Sequence, residues 1–209
     1  MRSLRFTISA DGSSDSVLGP ILQWNIARDH PDIVPNIQFV DYSVSGKPPG
    51  ILERRLRIAL DLFPCDILVV HRDAESEPWR QRESEIIRAL ENLPERSPAV
   101  LVIPIRMTEA WLLFDEGAIR RAAGNPAGRA ALLLPPISRL EHLPDPKSLL
   151  REALRTASGL SGRRLRNARP GQQARRVAEL IQTFESIEDL PAFQRFRESL
   201  STAIQQARQ

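Results

Sequence analysis

The residues of this chain that could do chemistry are concentrated just after an apolar run, Ile67 to Val70. Behind that run come His71 and three acids, Asp73, Glu75 and Glu77. Carboxylates held close together bind Mg²⁺ or Mn²⁺ through hard oxygen ligands, and such a metal can orient a phosphodiester and activate water. The segment therefore predicts either a metal-dependent site for phosphoryl chemistry or an ordinary solvated loop between a strand and a helix.

Two other acidic segments are expected at the same place in the fold. Asp11 to Asp15 follows the first predicted strand, and Thr108-Glu109 follows the fourth. Because ligands in open α/β sheets bind beyond the carboxyl ends of the strands, the three loops should converge there. The candidate metal ligands are Asp11, Asp73, Glu75 and Glu109, and the candidate catalytic residues are Asp73, Glu109 and His71.

An alternative explanation of these acids needs no ligand. Helices begin at the carboxyl edge of a parallel sheet, and an acid in the first turn suits the helix dipole. Glu109, directly after a possible Thr108 cap, fits that explanation, and Asp15 fits a capping role better still. His71 likewise has a structural alternative, a hydrogen-bonded residue at a strand end. The two explanations stay open at the level of sequence.

A basic segment in the second half of the chain could contact phosphate groups. Six arginines fall within the fourteen positions from 163 to 176. Guanidinium groups pair bidentately with phosphate, and clustered arginine is typical of backbone contact without base reading. The alternative is a solvated loop and helix face. The candidate nucleic-acid contacts are Arg163, Arg164, Arg166, Arg169, Arg175 and Arg176.

The elements that must position these residues alternate between strands and helices up to Gly124. Apolar runs and alternating patterns predict strands at Leu4–Ser9, Ile37–Val44, Ile67–Val70 and Ala99–Ile105. Ser13 or Ser14 should cap the first helix, and Thr108 should cap the fourth. The order βαβαβαβα predicts an α/β fold, a mainly parallel, Rossmann-like sheet of about four strands with flanking helices.

Beyond Gly124 the signals are helical. Asp145-Pro146 should open a helix that ends before Gly159, and spaced apolar residues indicate two more near Val177 and Phe193. Each helical face is too thin to form a core alone. We therefore predict an α/β domain over residues 1–124 and a helical extension over residues 125–209 that packs on it.

Composition narrows the classes of protein. The 209 residues are 42% hydrophobic and 26% charged, as in ordinary globular proteins, and no apolar run reaches the roughly 18 residues that span a bilayer. Cys65 is the only cysteine, which excludes an intrachain disulfide framework and fits a cytoplasmic protein. Residues 151–209 hold 11 basic and 6 acidic residues, a net charge of +5, while residues 1–150 hold 18 and 20, a net charge of −2. This asymmetry suggests contact with a polyanion.

Three motifs together resemble a known family. The loop Ala10-Asp11-Gly12-Ser13-Ser14-Asp15 and the acid-ended strand Leu68 to Glu75 resemble the TOPRIM-like domain. With the segment Ile105 to Leu113 added, the chain resembles the bacterial DUF4276 family, which is related to TOPRIM proteins such as the overcoming-lysogenisation-defect nucleases and is often discussed with phage defence. The resemblance covers residues 4 to about 160.

The resemblance implies a glutamate after the first strand and an aspartate-x-aspartate pair after the third. Asp11 stands at the glutamate position, His71 at the first aspartate position and Asp73 at the second. Two of the three positions thus differ from the family pattern. Aspartate reaches less far than glutamate, and histidine prefers softer metals than Mg²⁺, so either the ion is more like Mn²⁺ or the metal site has decayed.

Three functions remain as hypotheses. The first is a TOPRIM-like metal-dependent nuclease or phosphoryl-transfer domain that acts on nucleic acid, with Mg²⁺ or Mn²⁺ as cofactor and phage defence as one setting that the resemblance implies. The second is a degenerate, non-catalytic subunit that binds nucleic acid or a protein partner in a defence complex. The third is an α/β protein that binds the phosphate of a small molecule.

Overall fold

A computed structural model describes residues 1–42, 50–75, 77–94, 97–162 and 170–209, without the side chains of residues 170–172. Within these residues the four strands are β1 (Arg2–Ser9), β2 (Ile33–Phe39), β3 (Ile67–His71) and β4 (Ala99–Val102). They form one sheet in the order β2-β1-β3-β4, and every neighbouring pair is parallel. The predicted α/β class with a parallel four-stranded sheet is therefore confirmed.

The central strand β3 is buried on both faces, as its four consecutive aliphatic residues predict. Because successive side chains of a strand point to opposite faces, Ile67 and Val69 pack into one apolar core, and Leu68 and Val70 pack into another. The sheet is thus the middle layer of three.

The helices cover both faces of the sheet. Helices α2 and α3 contribute the core that receives Leu68 and Val70. The first helix and the helices near the C-terminus contribute the core on the other face. Helix bounds are α1 (Leu18–Asp29), α2 (Leu52–Leu62), α3 (Trp79–Glu91), α4 (Glu116–Ala122), α5 (Pro146–Ser158), α6 (Pro170–Leu180) and α7 (Pro191–Ala207).

Two strand boundaries differ from the sequence prediction. Strand β2 occupies Ile33–Phe39, four residues ahead of the predicted start at Ile37, because the pairing with β1 runs from Arg2 opposite Ile33 to Ile8 opposite Phe39. The last two predicted positions, 43 and 44, lie outside the described residues. Strand β4 ends at Val102 and not at Ile105, and Pro104 lies just beyond it. Proline has no N–H to donate, so it limits further pairing of the strand.

The two predicted serine and threonine caps are wrong. A 3₁₀ helix at Ser13–Val17 precedes α1, and its capping residue is Gly12. Another 3₁₀ helix at Thr108–Leu112 is capped by Met107 without a side-chain hydrogen bond, and a separate helix, α4, then begins after Asp115. The loops after β1 and β4 therefore make tight 3₁₀ turns, which present their side chains to the sheet edge differently from a plain α-helix.

The C-terminal helices share a core with the sheet. The ring of Trp111 lies 5.1 Å from that of Phe193 in an edge-on arrangement and 6.0 Å from that of Phe196. On α7, Ser199 Oγ also accepts a hydrogen bond at 2.9 Å from the backbone N–H of Leu101 on the edge strand β4. The helix thereby covers the outer edge of strand β4, which would otherwise be open to pairing with another chain. The domain boundary predicted near residue 124 stays a prediction.

In the part of the chain that the structure describes, no helix is both long and apolar enough to cross a membrane.

Candidate functional site

The loops after β1, β3 and β4 meet at the carboxyl edge of the sheet, where four polar side chains form a buried charge cluster. Two backbone hydrogen bonds hold the loops together: the N–H of Arg72 donates to Val102 O at 3.1 Å, and that of Ala74 donates to Pro104 O at 2.9 Å. The segment after β3 therefore continues beside the segment after β4. The cluster consists of Asp15, His71, Asp73 and Thr108.

The centre of the cluster is His71, the last residue of β3, whose side chain is fully buried. Its Nδ1 lies 3.5 Å from Asp15 Oδ2, and its Nε2 lies 3.2 Å from Asp73 Oδ1. Burial by itself lowers the pKa of His71, but the nearby carboxylates of Asp15 and Asp73 outweigh it and raise the pKa to about 9. At neutral pH the ring is therefore an imidazolium between two carboxylates.

Asp15 belongs to the cluster, although the sequence analysis favoured a helix-capping role for this residue. Its carboxylate accepts the backbone N–H of Gly12 at 2.9 Å, as a capping acid would, and also faces His71. Burial raises the pKa of Asp15, while the charge of His71 opposes that rise. The only signal in the sequence was its position, at the end of the glycine-containing loop after the first strand.

Thr108 completes the cluster and does not cap a helix. Its Oγ1 lies 3.0 Å from His71 Nε2, and the side chain is buried. When His71 is an imidazolium, Nε2–H is the donor of this hydrogen bond and the threonine oxygen is the acceptor. Thr108 thus helps to fix the orientation of the ring.

Glu109, a predicted metal ligand and catalytic residue, lies next to the cluster and is 3% exposed. Burial raises the pKa of its carboxyl, and the charges of Asp15 and Asp73 add to the rise, while Lys147 lowers it. Lys147 Nζ stands 3.7 Å from Glu109 Oε1. Glu109 therefore does reach the sheet edge, where its ion-pair partner is Lys147.

Asp11, another predicted ligand, is engaged by two arginines. Arg55 Nη1 lies 2.6 Å from Asp11 Oδ1, and Arg72 Nε lies 3.2 Å from Asp11 Oδ2. Arg72 also pairs with Glu85 at 2.8 Å, so that an ion-pair network extends from the loop to α3. With a guanidinium beside each of its oxygens, Asp11 is not placed to ligate a metal in this arrangement.

Glu75 and Glu77 lie on the exposed loop that leads into α3. The backbone of Glu75 has a φ of 55°, in the left-handed region that non-glycine residues rarely adopt. No described contact joins Glu75 to the buried charge cluster. The structure thus brings Asp73 and Glu109 to the edge and shows no contact of Glu75 there.

The fit of a divalent cation can be judged from these contacts. An imidazolium stands between Asp15 and Asp73, and Asp11 is paired with arginine. Among the residues that the structure describes, no group of three or more histidine, cysteine, aspartate or glutamate side chains is placed to hold a metal ion. In this arrangement the side chains therefore do not fit Mg²⁺ or Mn²⁺.

Most of the predicted basic segment, namely Arg163, Arg164, Arg166 and Arg169, lies outside the described residues. Arg175 and Arg176 are exposed on α6 and pair with Glu179 at 3.1 and 3.2 Å. Exposed pairs of this kind are worth about 0–1 kcal/mol, so that both guanidinium groups can be redirected toward a ligand.

A cavity of about 520 Å³ opens beside the buried charge cluster, between the loop after β1 and helices α5 and α6. Its charged lining residues are Glu109, Lys147, Arg151 and Arg175. Sequence analysis singled out only the first and last of these. Lys147 is one of just two lysines in an arginine-rich chain, and no local motif connects it or Arg151 with the sheet edge.

Comparisons of this chain with protein families, with curated proteins and with solved structures find no match.

Proposed function

We propose that the protein binds nucleic acid through phosphate contacts at the carboxyl edge of its sheet and does not cleave it. The observation that carries the proposal is the convergence of cationic side chains on the cavity there. Lys147 and Arg151 come from α5, and Arg175 comes from the predicted basic segment. Lysine and arginine side chains supply most of the affinity of proteins for nucleic-acid backbones, independently of base sequence.

The charges of the buried cluster support the part of the proposal that excludes cleavage. A nuclease that uses a divalent cation needs carboxylates that are free to ligate it. Here the positive charge beside Asp15 and Asp73 is supplied by His71, whose pKa of about 9 keeps it protonated at neutral pH. The imidazolium is an internal cation that offsets the charge of one of the two carboxylates without a metal.

A metal-dependent nuclease is the second candidate, favoured by the position of the remaining acids. Asp15, Asp73 and Glu109 are close enough that the first two raise the pKa of the third, in addition to its burial. If His71 left its place, these three carboxylates would be the natural ligands of Mg²⁺ or Mn²⁺. The resemblance to TOPRIM-like and DUF4276 proteins supports this candidate as well as the non-cleaving one. Both candidates agree with a role beside a protein partner in phage defence.

A supercoiled plasmid tests the proposal, because it offers phosphate backbone without ends. We expect the protein to retard the plasmid in a gel at low salt, and expect the bound fraction to fall steeply as salt increases from 50 to 200 mM. The double substitution Arg175→Ala, Arg176→Ala should reduce the slope of log K against log[salt] by about 2. A matched control, Arg54→Ala with Arg88→Ala, changes two exposed arginines on α2 and α3.

The same plasmid, incubated with Mg²⁺ or Mn²⁺, separates the candidates. The proposal predicts that it stays supercoiled. Nicking that is abolished by Asp73→Ala and by Glu109→Ala would overturn the proposal in favour of the metal-dependent nuclease. No retardation at any salt concentration would exclude nucleic acid and favour the binding of a small phosphate-bearing molecule.

A further inference from the structure

The cavity beside the buried charge cluster has the features of a phosphate pocket. Its floor is the loop after β1, from Gly12 to Ser16, and its wall is the first half of α5. Serine side chains from the loop and cationic side chains from the helices line the same cavity. The residues that matter for binding are Ser13, Ser14, Glu109, Lys147, Arg151 and Arg175.

Lys147 is held in place before any ligand arrives. Its Nζ donates a hydrogen bond to Ser14 Oγ at 3.1 Å and lies 3.7 Å from Glu109 Oε1. Fixing a lysine costs side-chain entropy, and these two contacts meet part of that cost on folding. A preorganised ammonium group at the wall of a cavity binds an anion more tightly than a freely moving one.

The charge of the cavity matches a phosphate monoester. The lining carries three cationic side chains, Lys147, Arg151 and Arg175, and one carboxylate, Glu109, which gives a net charge of +2 when Arg175 is released from its pair with Glu179. A phosphate monoester has a charge of about −1.5 to −2 at pH 7, whereas each diester of a nucleic-acid backbone has a charge of only −1. Complete neutralisation therefore favours a terminal phosphate over an internal one.

The size and the apolar wall of the cavity fit one nucleoside. Leu150, Leu154 and Ala174 line the side formed by α5 and α6. Pockets for small molecules have volumes of about 300–1,000 Å³ and combine apolar walls with a few polar groups, and the cavity of about 520 Å³ is within that range. A sugar or a base can lie against the apolar side while the phosphate contacts the cations.

We propose that this cavity binds a terminal phosphate monoester, carried either by the end of a nucleic-acid strand or by a free mononucleotide. The nucleic-acid source rests on the proposed function, and the mononucleotide source does not. In the first case the protein recognises strand ends, with Lys147 and Arg151 on the phosphate. Arg175, released from Glu179, closes the pocket over it.

The test compares ligands that differ only in the terminal phosphate. Binding of one fluorescent 12-mer is measured by anisotropy in three forms: with a 5′-phosphate, with a 3′-phosphate and with hydroxyl groups at both ends. Adenosine monophosphate, adenosine and inorganic phosphate are measured by calorimetry. We expect at least one phosphorylated 12-mer to bind about tenfold tighter than the hydroxyl form, and expect adenosine monophosphate to compete for that gain.

Lys147→Ala and Arg151→Ala should each abolish the preference for the phosphorylated end. Arg155→Ala is the matched control, since Arg155 lies one turn further along α5, is exposed and does not line the cavity. Arg151 is exposed too, so that its substitution leaves the fold intact, which thermal unfolding checks for every variant.

The outcomes distinguish this proposal from the proposed function. One outcome is that all three 12-mers bind equally, the supercoiled plasmid also binds and adenosine monophosphate does not. This result would contradict the proposal of a terminal-phosphate pocket but would agree with binding to the nucleic-acid backbone. Binding of adenosine monophosphate that is lost in Lys147→Ala, with no binding of plasmid or 12-mer, would support the pocket and reject the nucleic acid. A preference for phosphorylated ends that persists in both Lys147→Ala and Arg151→Ala would also contradict the proposed pocket.

Discussion

At the scale of single residues, His71 determines the charge of the sheet edge. Its pKa is about 9 in the folded protein, compared with an ordinary value of 6.5. A rise of this size corresponds to roughly 3 kcal/mol of stabilisation of the folded state by the protonated ring. Because the folded pKa is the higher one, this stabilisation is complete below about pH 6.5 and is lost as the pH rises through 9.

Replacing His71 should reveal the stabilisation that its protonated ring provides. His71→Gln removes the cation from beside the buried carboxylate of Asp15 and the partly buried carboxylate of Asp73, and breaking a buried pair in this way typically costs about 3–5 kcal/mol. We expect the difference in unfolding free energy between wild type and variant to be largest near pH 6 and to shrink by about 3 kcal/mol toward pH 9.5. Urea unfolding at several pH values measures it.

The control for that experiment is His142→Gln, because His142 is exposed. It should change stability little. A difference for His71→Gln that stays constant from pH 6 to 9.5 would show that the ring is not an imidazolium, and would remove the argument for an internal cation.

At the scale of elements, α5 connects the C-terminal half of the chain to the sheet edge. Asp145 caps it by accepting the N–H of Ser148 at 2.9 Å, Pro146 occupies its first turn, and Gly159 ends it with a φ of 62°. Residues four apart lie on the same face of a helix, so that Lys147 and Arg151 both reach the cavity. The cap therefore fixes where the cationic wall begins.

Loss of the cap should weaken the protein by a predictable amount. We expect Asp145→Ala to lower the unfolding free energy by about 0.5–2 kcal/mol, since the N–H of Ser148 loses its acceptor. Thermal unfolding measures the loss. Glu152→Ala, an exposed position further along the same helix, should stay within about 0.5 kcal/mol of wild type. An equal loss in both variants would mean that the cap contributes nothing of its own.

At the scale of the whole molecule, one apolar core joins the sheet to the C-terminal helices. Phe193 on α7 packs edge-on against Trp111 and stacks on Phe184, with ring centroids 5.1 and 6.3 Å away. Glu141, buried below them, accepts the backbone N–H of Ala192 at 3.0 Å at the start of α7. Aromatic packing together with this buried hydrogen bond ties the last helix to the segment after β4.

This shared core predicts a single cooperative unfolding transition. Phe193→Ala should lower the unfolding free energy by about 3–5 kcal/mol and shift the tryptophan-fluorescence and circular-dichroism transitions together. Leu133→Ala, at a side chain that is 87% exposed, should change neither. Two separated transitions in the wild type would instead show that residues 125–209 unfold independently of the sheet.

Much of the fold could be predicted because its signals are local. Four aliphatic residues in a row predict that β3 is buried on both faces, and they do pack into two cores. The segment from Asp145-Pro146 to Gly159 contains a cap, a start and a stop, and α5 follows them. The predicted strand start at Ile37 and strand end at Ile105 were wrong, since pairing with β1 and the proline after β4 set the observed limits.

The site was only partly predictable, because its contacts join residues that are distant in the sequence. The sequence by itself determined the parallel sheet, the order of its loops and hence the edge at which Asp73, Glu109 and His71 arrive. Only the tertiary structure decided their partners: Asp15 and Thr108 beside His71, two arginines on Asp11, and Lys147 against Ser14, 133 residues away in the chain. Charge balance depends on distances of a few ångströms between distant segments, and no local pattern encodes those distances.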